Sequence, residues 1–112
     1  MIVGLDHVVV LVRDIDAATN TYAALLGRKP AWRSIDEGAS SVLFTLDNMS
    51  VELLAPAAGA SGDHIRKTIE ANGEGLASLC LRVEDIARWH RRLDRLGLRP
   101  EAIGDGGSRN LI

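Results

Sequence analysis

The sequence has a single cysteine, Cys80, in 112 residues. An intrachain disulfide is therefore excluded, and a reducing, cytoplasmic setting is the expectation. Positive charge is not in excess: 13 Lys and Arg stand against 15 Asp and Glu, a net charge of −2. A nucleic-acid partner would want a basic stripe, so none is expected. Long apolar runs are missing too. The longest, Val8 to Val12, has the length of a strand and falls far short of the roughly 18 residues that a membrane span needs. Asp6, Arg13 and Asp14 interrupt the N-terminal segment, so no export signal is expected there. Only three prolines occur, Pro30, Pro56 and Pro100, each where an element would end. What is present is 46% hydrophobic and 25% charged residues, the balance of one compact globular domain.

The most informative feature is an internal repeat. Leu5-Asp6-His7-Val8-Val9-Val10-Leu11-Val12-Arg13-Asp14-Ile15 is echoed by Leu76-Ala77-Ser78-Leu79-Cys80-Leu81-Arg82-Val83-Glu84-Asp85-Ile86. Leu26-Gly27-Arg28-Lys29-Pro30 then matches Leu96-Gly97-Leu98-Arg99-Pro100, with one residue fewer between the blocks. Val8 to Val12 and Leu79 to Val83 read as buried strands, being β-rich and apolar. Asp14 and Asp85 can each accept backbone N–H groups at a helix start. Ile15, Ala18, Tyr22, Leu25 and Leu26 share one face of the first helix. Ile86, Trp89, His90, Leu93 and Leu96 share one face of the second, with Trp89 read as core and the arginines as its solvated side. Gly27 and Gly97 can adopt the left-handed conformation that closes each helix.

Three short strands follow the first helix: Ala31 to Ile35, Ser40 to Leu46 and Met49 to Ala55. Turns at Asp36-Glu37-Gly38 and Asp47-Asn48 separate them. Residues 1–56 thus form a βαβββ module. Residues 57–74 form a connector with a short helix from Asp63 to Ala71. Residues 75–112 begin a second module, with strands near Arg99 to Ile103 and from Arg109 to Ile112 around a Gly104 to Gly107 loop. By analogy with the first module, part of one strand and all of another are wanting. The expectation is a piece of a longer protein or a chain that borrows strands. A homodimer would relieve the unpaired edge.

These segments resemble a known family. Leu5-Asp6-His7-Val8, Arg13-Asp14-Ile15-Asp16 and Tyr22-Ala23-Ala24-Leu25-Leu26-Gly27 are similar to the opening of a module in the vicinal-oxygen-chelate superfamily, the glyoxalase, bleomycin-resistance and extradiol-dioxygenase group. Val51-Glu52-Leu53-Leu54 resembles that module's last strand. Gly73-Glu74-Gly75-Leu76 through Val83-Glu84-Asp85-Ile86 is similar to the start of the second module in methylmalonyl-CoA epimerases and glyoxalases. The resemblance implies an α+β fold in which paired βαβββ modules form an open, cup-shaped mixed sheet with helices on the outer face. It implies a small oxygen-rich ligand in the cup and up to four metal ligands on the first and last strands of each module. A divalent metal (Zn, Ni, Fe, Mn or Co) would act there as a Lewis acid. A glyoxalase-like lyase or isomerase, or a dioxygenase, is one functional reading. A metal-free drug-binding protein is another, and a piece without complete activity is a third.

Under that resemblance His7 takes the place of the first-strand ligand and Glu52 that of the fourth-strand ligand, with general base as a further role for Glu52. Strand alternation sets His7 on the face opposite Val8, Val10 and Val12, and sets Glu52 opposite Val51 and Leu53. A histidine hydrogen-bonded near a strand start and a half-exposed strand carboxylate are the plainer alternatives. Ser78 stands where the family has a second-module histidine, and a hydroxyl is a poor ligand for the usual divalent metals. Cys80 shares its strand face; a buried small hydrophobe is the commoner role. Trp32 and Phe44 are apolar wall or core, and with Ser78 and Cys80 they complete the expected ligand-binding set. His64 is expected at solvent and His90 in a structural role. Arg82 and Arg109 are cations available to a phosphate or CoA-like anion.

Overall fold

A computed structural model describes residues 2–36, 38–100 and 111. The elements are β1 (Ile2–Leu11), α1 (Ile15–Leu26), β2 (Trp32–Asp36), β3 (Ala39–Thr45), β4 (Ser50–Pro56), a 3-10 turn (Ala60–Gly62), α2 (Asp63–Asn72), β5 (Gly75–Val83) and α3 (Ile86–Arg95). The β-α-β-β-β succession read from the sequence is thus present, as is the repeated strand and helix. The α+β class also holds, and the sheet is mixed. Its strand order is β2-β3-β4-β1-β5, with β2–β3 and β3–β4 antiparallel and β1–β4 parallel.

Local chemistry accounts for the element ends. Asp14 has extended backbone, and its carboxylate accepts from the N–H groups of Asp16 and Ala17. Asp85 repeats this at α3, accepting from the N–H of Arg88. Each satisfies donors that the first helical turn leaves without partners. Gly27, at φ +66°, closes α1 in the left-handed region, where a Cβ would be strained. The β3–β4 hairpin turns at Asp47-Asn48, with the Leu46 N–H donating to the Met49 carbonyl at 2.8 Å. Arg66 of α2 donates to the carbonyls of Ala57 and Gly59, tying the connector down.

The chain divides into two compact units, one of Met1–Asp6 with Cys80–Ile112 and one of His7–Leu79. In the His7–Leu79 unit, Val42 and Phe44 of β3 pack with Val12 and with Val51, Leu53 and Ala55 of β4. Val8, Val10 and the α1 residues Ile15, Ala18, Tyr22, Ala23 and Leu26 lie against them. Phe44 and Leu53 are fully buried, a removal of apolar surface that stabilises by about 1.5–3 kcal/mol for each such side chain. In the other unit Val83 is buried, α3 has no fully buried residue, and Leu111 makes an isolated antiparallel bridge to Arg82.

Several expectations need correction. Leu25 points away from the core and is exposed, because α1 packs through Ala18, Tyr22 and Leu26. Trp89 is half-buried and carries the Arg92 guanidinium 5.6 Å from its ring centre, a cation–π contact. β1 and β5 begin well before their apolar runs, at Ile2 and Gly75. Residues 101–103 of one expected strand, the Gly104 to Gly107 loop, and Arg109, Asn110 and Ile112 of the other strand lie outside the described residues. Among the described residues, no helix is long and apolar enough to cross a membrane.

Candidate functional site

The parallel pairing of β1 with β4 sets His7 opposite Ser50 and Val9 opposite Glu52. Paired residues point to the same side of a sheet and alternate along each strand. His7, Val9, Ser50 and Glu52 therefore share the face turned away from the Val8, Val10, Val51 and Leu53 core. Across the next ladder Leu43 pairs with Glu52 and Ser41 with Leu54; one strand further, Trp32 pairs with Leu43. Val9, Glu52, Leu43 and Trp32 consequently form one cross-strand row, a carboxylate flanked by apolar side chains.

His7 and Glu52 meet diagonally. His7 Nε2 lies 3.6 Å from Glu52 Oε2, with side-chain exposures of 20% and 24%. That separation exceeds a direct hydrogen bond. It suits two ligands of one tetrahedral ion, which at about 2.0–2.1 Å from each donor stand roughly 3.4 Å apart. The other carboxylate oxygen is committed: the Ser41 hydroxyl donates to Glu52 Oε1 at 2.7 Å, and Ser41 is 6% exposed. An imidazole nitrogen and a carboxylate oxygen are donors that zinc and neighbouring divalent metals accept. The pair could therefore supply two ligands to a divalent cation.

The remaining residues of the expected set are placed differently. Trp32 is on the Glu52 face, half-exposed. Phe44 is not a wall of this site: it is fully buried in the core, because it alternates with Leu43 and Thr45 and so turns toward α1. Ser78 is exposed on β5. Cys80 is half-buried in the other unit. His64 is exposed, as expected. His90 Nε2 is buried with no hydrogen-bond partner among the described residues, so it does not show the satisfied role expected of it. Arg82 donates to the Leu5 carbonyl at 3.4 Å, and Arg109 lies outside the described residues. Ser41 was not singled out from the sequence. The signal for it was the two-residue turn at Asp47-Asn48, which fixes the β3–β4 register and so brings position 41 beside Glu52.

Comparison with known proteins identifies the family and the fold. A profile of the Glyoxalase/Bleomycin resistance protein/Dioxygenase superfamily matches residues 6–110. An ethylmalonyl-CoA/methylmalonyl-CoA epimerase of Cereibacter sphaeroides is 34% identical over 109 residues, spanning 95% of this chain and 78% of the relative. Among solved structures, methylmalonyl-CoA epimerase from Mycobacterium tuberculosis superposes with a TM-score of 0.77 at 29% identity, covering 95% of this chain and 75% of that one. A variant of the Streptomyces coelicolor methylmalonyl-CoA epimerase, in complex with 2-nitronate-propionyl-CoA, reaches a TM-score of 0.78 at 19% identity over 96% of this chain and 81% of that one. At that identity the likeness speaks for the fold alone.

Proposed function

The chain belongs to the glyoxalase, bleomycin resistance protein and dioxygenase superfamily, and from that premise we propose that it epimerises a small acyl-CoA thioester with an acidic α-hydrogen, of the methylmalonyl or ethylmalonyl kind. The observation that carries the reading is the His7–Glu52 pair, 3.6 Å apart on one sheet face, in a chain 34% identical to an epimerase of such thioesters.

Transfer of the α-proton to the Glu52 carboxylate, which can exchange it with solvent before returning it, leaves negative charge on the thioester oxygen, close to the free carboxylate of the malonyl group. Two vicinal oxygens of this kind ask for concentrated positive charge. His7 Nε2 and Glu52 Oε2 would hold a divalent cation, which when bound supplies Lewis acidity toward such oxygens. Glu52 is assigned as a holding group that doubles as the proton carrier. Its Oε1 accepts from Ser41, and its Oε2 faces His7 beyond hydrogen-bond distance, so lone pairs of Oε2 are open to a cation or a proton. Val9, Leu43 and Trp32, in the row of Glu52, offer an apolar flank for the hydrocarbon of the acyl group.

Mass spectrometry of methylmalonyl-CoA and ethylmalonyl-CoA incubated with the protein and Co2+ in D2O tests this. Deuterium should enter the α-position faster than in buffer with Co2+ alone. His7→Ala and Glu52→Gln should each slow it by about a hundredfold or more. No enzyme-dependent exchange with either thioester would defeat the reading. One observation favours a metal-free binding role instead: the exposed Ser78 where a histidine would be a better ligand. Tight binding of a thioester without exchange, unchanged by chelator, would select that role.

A further inference from the structure

We propose that Ser41 is a positioning residue: its hydroxyl fixes the carboxylate plane of Glu52 so that Oε2 is presented to the same point as His7 Nε2. The proposal rests on reading His7 and Glu52 as a ligand pair. Ser41 lies in β3 between Ser40 and Val42, and it is 6% exposed. A hydroxyl so placed is costly unless it is hydrogen-bonded, and it is bonded, at 2.7 Å, to Glu52 Oε1. The terminal torsion of a glutamate is broad and roughly two-fold, so an untethered carboxylate samples many planes. Tethering one oxygen selects one plane. The plane selected here turns the second oxygen to within 3.6 Å of the imidazole. The register of the β3–β4 ladder, Ser41 against Leu54 and Leu43 against Glu52, makes position 41 a diagonal neighbour of the carboxylate on its own face. Groups that orient ligands in this way are worth about 10–100-fold in metal affinity.

The test is Co2+ titration followed by visible absorption for the wild-type chain, Ser41→Ala, Ser41→Thr and Glu52→Gln, with melting curves for each. Crystal structures of the metal-free wild type and Ser41→Ala accompany it. The expected result is a dissociation constant raised about 10–100-fold in Ser41→Ala, recovery in Ser41→Thr, and little change in melting temperature for Ser41→Ala. In the crystal of Ser41→Ala, the Glu52 carboxylate should leave its plane. Equal Co2+ affinity in wild type and Ser41→Ala would overturn the proposal. So would a Glu52 carboxylate still facing His7 in the Ser41→Ala crystal. Wild-type protein that takes up no Co2+ would remove the ligand-pair reading itself, and the crystal structures would then decide the role of Ser41 alone.

Discussion

Glu52 shows how one residue's role depends on which of its atoms are already engaged. With Oε1 bonded to Ser41, Oε2 is the oxygen turned to His7. Trp32 and Phe44 make the complementary case, since both are aromatic and both were read from the sequence as wall or core. Phe44 is fully buried, whereas Trp32 is 52% exposed on the Glu52 face. Phe44→Ala should therefore destabilise the fold by about 3–5 kcal/mol, a large part of the roughly 5–15 kcal/mol typical of a domain. Trp32→Ala should leave stability nearly unchanged and raise the KM for the thioester. Urea unfolding and steady-state kinetics on the two variants check this; the reverse pattern would place the apolar wall at Phe44. His7 and Glu52 were legible in the sequence because strand alternation and the family resemblance converged on them. Ser41 was legible only indirectly, through the Asp47-Asn48 turn that sets it beside a carboxylate eleven positions away.

Among the elements, the helices were the best specified. Asp14 and Asp85 both cap as their side chains allow. Asp14→Ala and Asp85→Ala should each cost about 1 kcal/mol, seen in thermal melts as a fall of roughly 4–8 °C per kcal/mol. Asn at either position should recover most of it, since its side-chain oxygen also accepts. Strand existence was legible from apolar runs and turn residues, but strand starts were not. Asp6 and His7 interrupt the apolar pattern of β1, yet the strand runs through them, because backbone pairing does not depend on side-chain polarity. The face of Phe44 was recoverable in principle: Val42 and Phe44 alternate with Ser41 and Leu43, and a one-residue change of phase moves every side chain to the other side.

For the whole molecule, the duplicated punctuation of the sequence led correctly to the superfamily, which matches residues 6–110. It did not choose the reaction, because superfolds host many chemistries and the choice lies in a few site atoms. Self-association is the expectation for a sheet with an edge strand such as β2. Sedimentation equilibrium should give twice the chain mass of 12.0 kDa; a single chain mass would contradict the homodimer. The central claim is that His7 and Glu52 act on one and the same bound group. A double-mutant cycle on the deuterium-exchange rate, using His7→Ala, Glu52→Gln and both together, measures that coupling most directly. The account predicts a double variant scarcely slower than the worse single one. Losses that simply multiply would mean that the two side chains work apart, and would contradict it.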